Sequence, residues 1–88
     1  MYEVSLLVRL KVSNDEFNEE VIGKAVLNNV VGFVMSLGIG AYYIEAQGEK
    51  ESINNFVDWC NNNRFDAYTS EYKLKMKKQP KFKEFGLV

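Results

Sequence analysis

Four carboxylates stand close together early in the chain, at Asp15, Glu16, Glu19 and Glu20. Paired carboxylates can act as general acid and base, or they can hold a metal ion. A simpler interpretation is that Asp15 and Glu16 stabilise the start of a helix, because negative charge complements the positive end of the helix dipole. The chain has no histidine and a single cysteine. We therefore expect no metal site and no cofactor.

Two side chains could act as nucleophiles, Cys60 and Ser36. Cys60 follows Ile53 and Phe56 at helical spacing, which predicts a buried structural thiol rather than a reactive one. Ser36 has no histidine or lysine beside it in the sequence to serve as its base, so we interpret it as a residue at the end of a hairpin strand. A lone cysteine also excludes an internal disulfide, which fits a reducing, cytoplasmic setting.

Lysines alternate with apolar residues near the C-terminus, at Lys73, Lys75 and Lys77. Six of the eleven basic residues of the chain fall between Lys73 and Lys83. With Arg9 on a neighbouring strand, this array could be an electrostatic footprint for nucleic acid. Lysine on an exposed edge strand also prevents aggregation, and the sequence pI of about 5.4 favours that interpretation.

The spacing of apolar residues predicts the elements that position these side chains. Ser13 and Glu16 have the spacing of a capping box, which places the start of the first helix. A competing interpretation extends that helix through Met35, but Gly32 and the β-branched residues beside it favour a strand. The expected elements are a strand over Tyr2 to Val12, a helix that begins at about Asn14 and is ended by Asn28 and Asn29, hairpin strands over Val30 to Met35 and Ala41 to Gln47, a helix through Cys60 that stops at Asn61–Asn63, a strand containing Tyr72, Leu74 and Met76, and a terminal strand over Phe85 to Val88.

This order of elements predicts a ferredoxin-like α/β sandwich, an α+β fold with an antiparallel sheet and two helices on one face. Eighty-eight residues fit one domain, which we expect to span 1–88. The second face of the sheet is left to solvent or to a partner. The residues expected to be buried between sheet and helices are Val4, Leu6, Val8, Leu10, Phe17, Val21, Tyr42, Ile44, Ile53, Phe56 and Leu74.

Five short motifs follow one another along the chain. They are Phe17-Asn18, Gly32-Phe33-Val34-Met35-Ser36, Ala46-Gln47-Gly48, Asp58-Trp59-Cys60 and Phe85-Gly86-Leu87-Val88. Their order and spacing resemble the acylphosphatase family, with at most a one-residue change in the hairpin. Each motif is weak alone, but together they cover the whole chain. The resemblance implies the same ferredoxin-like fold.

The resemblance also implies where a catalytic site would lie. In the family an arginine holds the substrate phosphate and an asparagine orients the attacking water; those positions fall on Asn18 and Ser36 here. The family's glycine-rich phosphate cradle falls on residues 10–17, which contain no glycine. A cradle needs inward-facing backbone N–H groups, and glycine often lets the anion approach. The resemblance therefore predicts a member without the family's catalytic residues.

We expect a non-catalytic binding or regulatory module that contacts another protein through the open sheet face. The residues expected to bind are Tyr43, Phe33, Arg9, Lys73, Lys75 and Lys77. An acylphosphatase-type hydrolase with a rebuilt site is the first alternative, and a nucleic-acid binder is the second. The sequence leaves open whether the protein forms a homo-oligomer. No apolar run reaches the length of a membrane span, so no membrane partner is expected.

Overall fold

A computed structural model of the protein describes residues 1–12 and 14–88. The elements are β1 (Tyr2–Arg9), α1 (Phe17–Leu27), β2 (Val31–Gly38), β3 (Ala41–Gly48), α2 (Lys50–Cys60), β4 (Tyr68–Met76) and β5 (Phe85–Leu87). The strands form one sheet in the order β4-β1-β3-β2-β5. All neighbours are antiparallel except β2 and β5, which run parallel. The predicted ferredoxin-like α+β fold is confirmed.

The segment between β1 and α1 differs from the prediction. The strand ends at Arg9 rather than Val12, and the helix begins at Phe17 rather than Asn14. Asn14 forms a turn ahead of the helix instead, since its Oδ1 accepts from the Glu16 N–H at 2.9 Å and its carbonyl accepts from the Phe17 N–H at 3.2 Å. Asparagine favours such turns because its side chain competes for backbone N–H groups. The expected capping box involves Ser13, which lies outside the described residues.

The first helix does not continue into the hairpin. Asn28 Nδ2 donates to the Lys24 carbonyl at 2.8 Å, and Asn29 adopts a positive φ of 57°. Asparagine tolerates this left-handed conformation better than most residues, and it commonly ends a helix. The alternative of a continuous helix through Met35 is therefore wrong.

The core lies between the two helices and one face of the sheet. Helix α1 packs against β2 and β5, and α2 packs against β1 and β3. Ten of the eleven residues expected in this core are buried, and the exception is Leu74, which is 43% exposed. Leu74 lies on β4, the edge strand, where the two helices do not cover the sheet.

An aromatic cluster fixes the start of α1 on the sheet. The ring of Phe17 lies 4.7 Å from that of Tyr42, 5.3 Å from that of Phe65 and 6.0 Å from that of Trp59, measured between centroids. Phe17 is fully buried. Aromatic pairs at these distances add to the burial energy, so the position of Phe17, and with it the first turn of α1, is well defined.

Across the described part of the chain, no helix has the length and apolar character needed to cross a membrane.

Candidate functional site

The site implied by the family resemblance lies where β1, α1 and the β2–β3 hairpin meet. Leu10 N–H donates to the Gly40 carbonyl at 2.7 Å, which joins the end of β1 to the hairpin turn. Gly40 has a φ of 66°, and an added Cβ would approach the Leu10 carbonyl oxygen to 2.9 Å. Glycine at position 40 therefore permits this close junction.

Ser36 is the cross-strand partner of Tyr42, and Asn18 follows Phe17, which packs on Tyr42. Ser36 pairs across the sheet with Tyr42, and cross-strand partners share a face, so Ser36 lies on the helix side. Tyr42 packs on Phe17, the neighbour of Asn18, and its hydroxyl donates to the Asn14 carbonyl at 3.5 Å. Asn18 is partly buried and Ser36 is exposed. The two positions thus lie at the same end of the helix side.

One atom of Asn18 is notable. Its Oδ1 is buried and finds no hydrogen-bond partner among the described residues. An unsatisfied buried acceptor is costly, and each one in a native protein calls for an explanation. An amide oxygen in this position can accept a hydrogen bond from a donor, but it carries no positive charge with which to hold a phosphate.

The charges beside the start of α1 are mainly negative. Arg64 is the guanidinium that approaches this helix turn, and it forms ion pairs with Glu16 at 2.7 Å and Glu20 at 3.1 Å. Hydrogen bonds to Glu16 and then to Glu20 raise the pKa of Arg64. Burial, and after it the charge of Asp15, raise the pKa of the Tyr42 hydroxyl. This environment disfavours an added anion.

A shallow groove of 420 Å³ runs along the exposed side of α1. It is lined by Glu16, Glu19, Glu20, Gly23, Lys24, Leu27 and Arg64. Our sequence reasoning missed Arg64, although it is one of only two arginines in the chain. A single sequence indicates the contact of Arg64 with Glu16 and Glu20 only weakly, because these residues are more than forty positions apart.

The expected binding residues lie on the other face of the sheet, the open face. A groove of 830 Å³ on this face is lined by Glu3, Ser5, Leu6, Leu7, Tyr43, Glu45, Glu71, Tyr72, Lys73, Lys75, Lys77 and Lys81. It brings together Tyr43, Lys73, Lys75 and Lys77, four of the six residues predicted to bind. Arg9 is exposed and pairs with Tyr68 and Ala41 at the end of β1, outside the groove.

The Phe33 side chain is less accessible to a partner than we expected for a binding residue on the open face. Its ring lies 5.7 Å from that of Phe82 and 5.8 Å from that of Tyr43. Phe82 belongs to residues 77–84, the connection that leads from β4 at one edge of the sheet to β5 at the other. The connection therefore covers part of the face that was expected to be open.

Polar contacts hold this connection against the sheet. Gln47 is buried, donating from Nε2 to Glu3 Oε1 at 2.9 Å while its Oε1 accepts from the Lys81 N–H at 2.7 Å. Lys81 Nζ lies 3.3 Å from Glu45, whose other oxygen accepts from the Tyr43 hydroxyl at 3.0 Å. Sequence reasoning missed the buried hydrogen bond between Glu3 and Gln47, because polar and charged residues within an alternating strand normally face solvent.

The residues 1–12 and 14–88 bring no three histidine, cysteine or acidic side chains into a metal-binding group. Burial raises the pKa of the Cys60 thiol from its ordinary value of 9.0 to about 12. Cys60 is fully buried on the core face of α2. A thiol with so high a pKa is protonated near neutral pH and is a poor nucleophile.

Comparisons with known proteins place this geometry in a family. The family model described as acylphosphatase matches residues 4–87. The crystal structure of acylphosphatase from Bacillus subtilis is similar at a TM-score of 0.81 and 19% identity, over 100% of this chain and 99% of that one. The acylphosphatase from Coxiella burnetii is similar at a TM-score of 0.72 and 25% identity, over 98% and 93% of the two chains.

The same fold also occurs inside larger proteins. Full-length HypF, in a phosphate- and nucleotide-bound form, is similar at a TM-score of 0.69 and 22% identity, and this chain matches 12% of its length. No curated protein sequence matches the chain. Because the family model spans nearly the whole sequence, the chain belongs to the acylphosphatase family.

Proposed function

We propose that this member of the acylphosphatase family is a binding domain without efficient hydrolase activity, and that it contacts another protein through the open sheet face. The observation that carries the proposal is the chemistry around α1. The family positions are predicted to be Asn18 and Ser36, both neutral, and the guanidinium nearest to the helix start is already paired with Glu16 and Glu20.

Three physical effects oppose phosphate binding at this position. A phosphate would lie near carboxylates, and the guanidinium of Arg64 is already paired with two of them, so both effects raise the energy of the bound anion. At least two N–H groups at the entry to α1 are already bonded to Asn14. Removing an electrostatic contact to the transition state commonly costs about 3–4 kcal/mol in enzymes that depend on one, which is a factor of several hundred in rate.

The binding part of the proposal is supported by the open face. Its groove combines a partly buried tyrosine, Tyr43, with lysines on the edge strand. Aromatic residues in partly desolvated grooves are frequent anchors of protein interfaces. The buried free thiol of Cys60 fits the cytoplasmic setting that the sequence led us to expect.

A phosphate titration tests the loss of the anion site. Inorganic phosphate or sulfate at millimolar concentration should leave the melting temperature of the protein unchanged. A ligand present at 100 times its Kd would stabilise the fold by about 2.7 kcal/mol, which a thermal unfolding curve detects easily. A dose-dependent rise in melting temperature that is lost in Asn18→Ala would refute the proposal.

An acylphosphatase-type hydrolase with a rebuilt site is the second candidate. Family membership and the two acylphosphatase structures favour this candidate more directly than they favour a binding domain. In a rebuilt site, Arg64 is the cation best placed to replace the family arginine, if Glu16 and Glu20 release it. Under this candidate, Arg64→Gln should abolish hydrolysis of an acyl phosphate, whereas Arg9→Gln should leave it intact.

Protein and nucleic-acid partners are distinguished by the physics of the open face. For nucleic acid, the affinity should fall with salt, and each lost lysine contact should reduce the logarithmic salt slope by about 0.7–0.9. For a protein partner, Tyr43→Ala should weaken binding by about 2 kcal/mol or more, and moderate salt should matter little. Retention of single-stranded RNA at micromolar affinity in physiological salt would contradict our choice of a protein.

A further inference from the structure

Strand β4 is the long free edge of the sheet. It pairs with β1 on one side only, and the opposite edge of the sheet is the three-residue β5. An unpaired edge presents backbone N–H and C=O groups that can bond to another extended segment. The regular part of β4 begins at Glu71, because the register with β1 shifts around Ser70, whose hydroxyl donates to the Leu7 carbonyl at 3.2 Å.

The two faces of this regular part have opposite character. Tyr72, Leu74 and Met76 lie on the helix side, opposite Leu6, Val4 and Tyr2 of β1, and are 48%, 43% and 73% exposed. Lys73 and Lys75 lie on the open face, opposite Ser5 and Glu3. Every residue from Glu71 to Met76 is exposed. The edge therefore combines an uncovered apolar row with an open-face row of two lysines preceded by Glu71.

The lysines select the charge of whatever pairs with this edge. Neither Lys73 nor Lys75 forms an ion pair with any residue that the structure describes, whereas Lys77 lies 3.8 Å from Glu3 and Lys81 lies 3.3 Å from Glu45. Like charges that face each other across two strands are destabilising, and opposite charges are stabilising. A second copy paired antiparallel about Leu74 would place Lys73 opposite Lys75 twice, whereas pairing about Lys73 would combine one lysine–lysine pair with two Glu71–Lys75 pairs. An acidic strand would meet both lysines favourably.

We infer that β4 is a docking site for an extended segment of a partner protein in which acidic residues alternate with apolar ones. Its acidic side chains would face Lys73 and Lys75, and its apolar side chains would cover Tyr72, Leu74 and Met76. Its backbone would continue the sheet beyond β4, the mode of recognition known as β-augmentation. The inference rests on the proposed binding function, since it names the partner segment and extends the open-face contact to the adjoining edge.

A peptide titration followed by NMR tests this inference. The probe is a blocked peptide of about six residues that alternates glutamate and valine, matching the regular part of β4. We expect chemical-shift changes centred on Tyr68–Met76. The same peptide with lysine in place of glutamate should not bind.

Charge reversal supplies a matched control. The variant Lys73→Glu/Lys75→Glu should lose affinity for the acidic peptide by about tenfold, because two attractive cross-strand pairs become repulsive. It should gain affinity for the lysine peptide. The variant Lys50→Glu/Lys83→Glu changes net charge equally, at exposed positions away from β4, and should bind the acidic peptide as the unmodified protein does. Binding of the lysine peptide to Lys73→Glu/Lys75→Glu would also show that this variant is folded, so its loss of affinity for the acidic peptide can be assigned to charge.

Several results would overturn the inference. Absence of shifts in β4, equal loss in both double variants, or equal binding of the two peptides would each exclude an acidic strand at this edge. Self-association through β4 or preferential binding of single-stranded RNA would assign the edge to a different partner. None of these results would alter the phosphate titration or the effect of Tyr43→Ala, so failure here is distinguishable from failure of the proposed function.

Discussion

At the scale of single residues, Gly32 shows why the family motif needs glycine. Its φ is +146°, and an added Cβ would overlap the Glu45 carbonyl oxygen. That contact is with the backbone of the neighbouring strand, so it cannot be relieved by rotating a side chain. The glycine in Gly32-Phe33-Val34-Met35-Ser36 is thus required by the β2–β3 pairing, whatever the chemistry of the site.

Gly32→Ala should therefore destabilise the protein strongly. We expect a loss of about 3 kcal/mol in the free energy of unfolding, from the backbone strain and the clash together. The control is Gly23→Ala, in the exposed middle of α1, where an added Cβ meets nothing within 4 Å. That change should stabilise by about 0.5–1 kcal/mol, because alanine favours the helix. Urea unfolding of both variants measures the difference, and similar stabilities for the two would contradict the close approach at Gly32.

Cys60 should be unreactive in the folded protein. Its pKa of about 12 means that almost no thiolate forms at neutral pH, and the side chain is fully buried. A thiol reagent should modify Cys60 only after unfolding in urea, and the colour released on modification measures it. Rapid labelling of the native protein would show that α2 opens readily.

The raised pKa also has a consequence for stability. The unfolded thiol ionises near pH 9 while the folded thiol stays protonated up to about pH 12. The contribution of Cys60 is therefore fully present below about pH 9 and is lost as the pH rises toward 12. Cys60→Ala should weaken this decline in stability between those two pH values, as measured by urea unfolding. An unchanged decline would assign it to other groups.

At the scale of elements, the strands and helices could be predicted because each carries its own periodicity. The i, i+3, i+4, i+7 spacing of α2 and the alternation of β1 are local signals, and both elements are present, although β1 ends at Arg9 rather than at the predicted Val12. The start of α1 could not be predicted in the same way. Asn14 binds the N–H groups of Glu16 and Phe17, and the sequence does not show which of several polar residues will form such a turn.

Strand β4 shows the second limit of local reasoning. Its alternation correctly predicts a strand, but alternation does not show whether a helix covers the apolar side. Leu74 was expected in the core and is 43% exposed, while Leu6, its counterpart on β1, is fully buried. The difference arises from the positions of α1 and α2 relative to the sheet edge, which is a tertiary property.

The two leucines should respond differently to truncation. Leu6→Ala should cost about 2–5 kcal/mol in the free energy of unfolding, the range for a fully buried leucine. Leu74→Ala should cost about 1 kcal/mol or less, because nearly half of its surface is already in water. Chemical denaturation of the two variants compares them directly. Equal costs would mean that β4 is covered in solution, by a second copy or by a shift of α2.

At the scale of the whole molecule, the order and spacing of short motifs identified the fold, since they reflect the architecture rather than any one contact. The chemistry of the site was harder to predict. The assignment of the family positions to Asn18 and Ser36 stays a prediction. The pairing of Arg64 with Glu16 and Glu20, and the closure of part of the open face by residues 77–84, depend on contacts between distant segments. Such contacts leave no periodic signal in a single sequence.

We propose that this chain keeps the acylphosphatase fold without efficient acyl phosphate hydrolysis. The rate of benzoyl phosphate hydrolysis by the purified protein tests it most directly, measured against the spontaneous reaction and against the variants Asn18→Ala and Ser36→Ala. We predict that the protein, like both variants, does not accelerate hydrolysis above the spontaneous rate. Hydrolysis that is saturable and is abolished by Asn18→Ala or Ser36→Ala would contradict the claim and establish a rebuilt catalytic site.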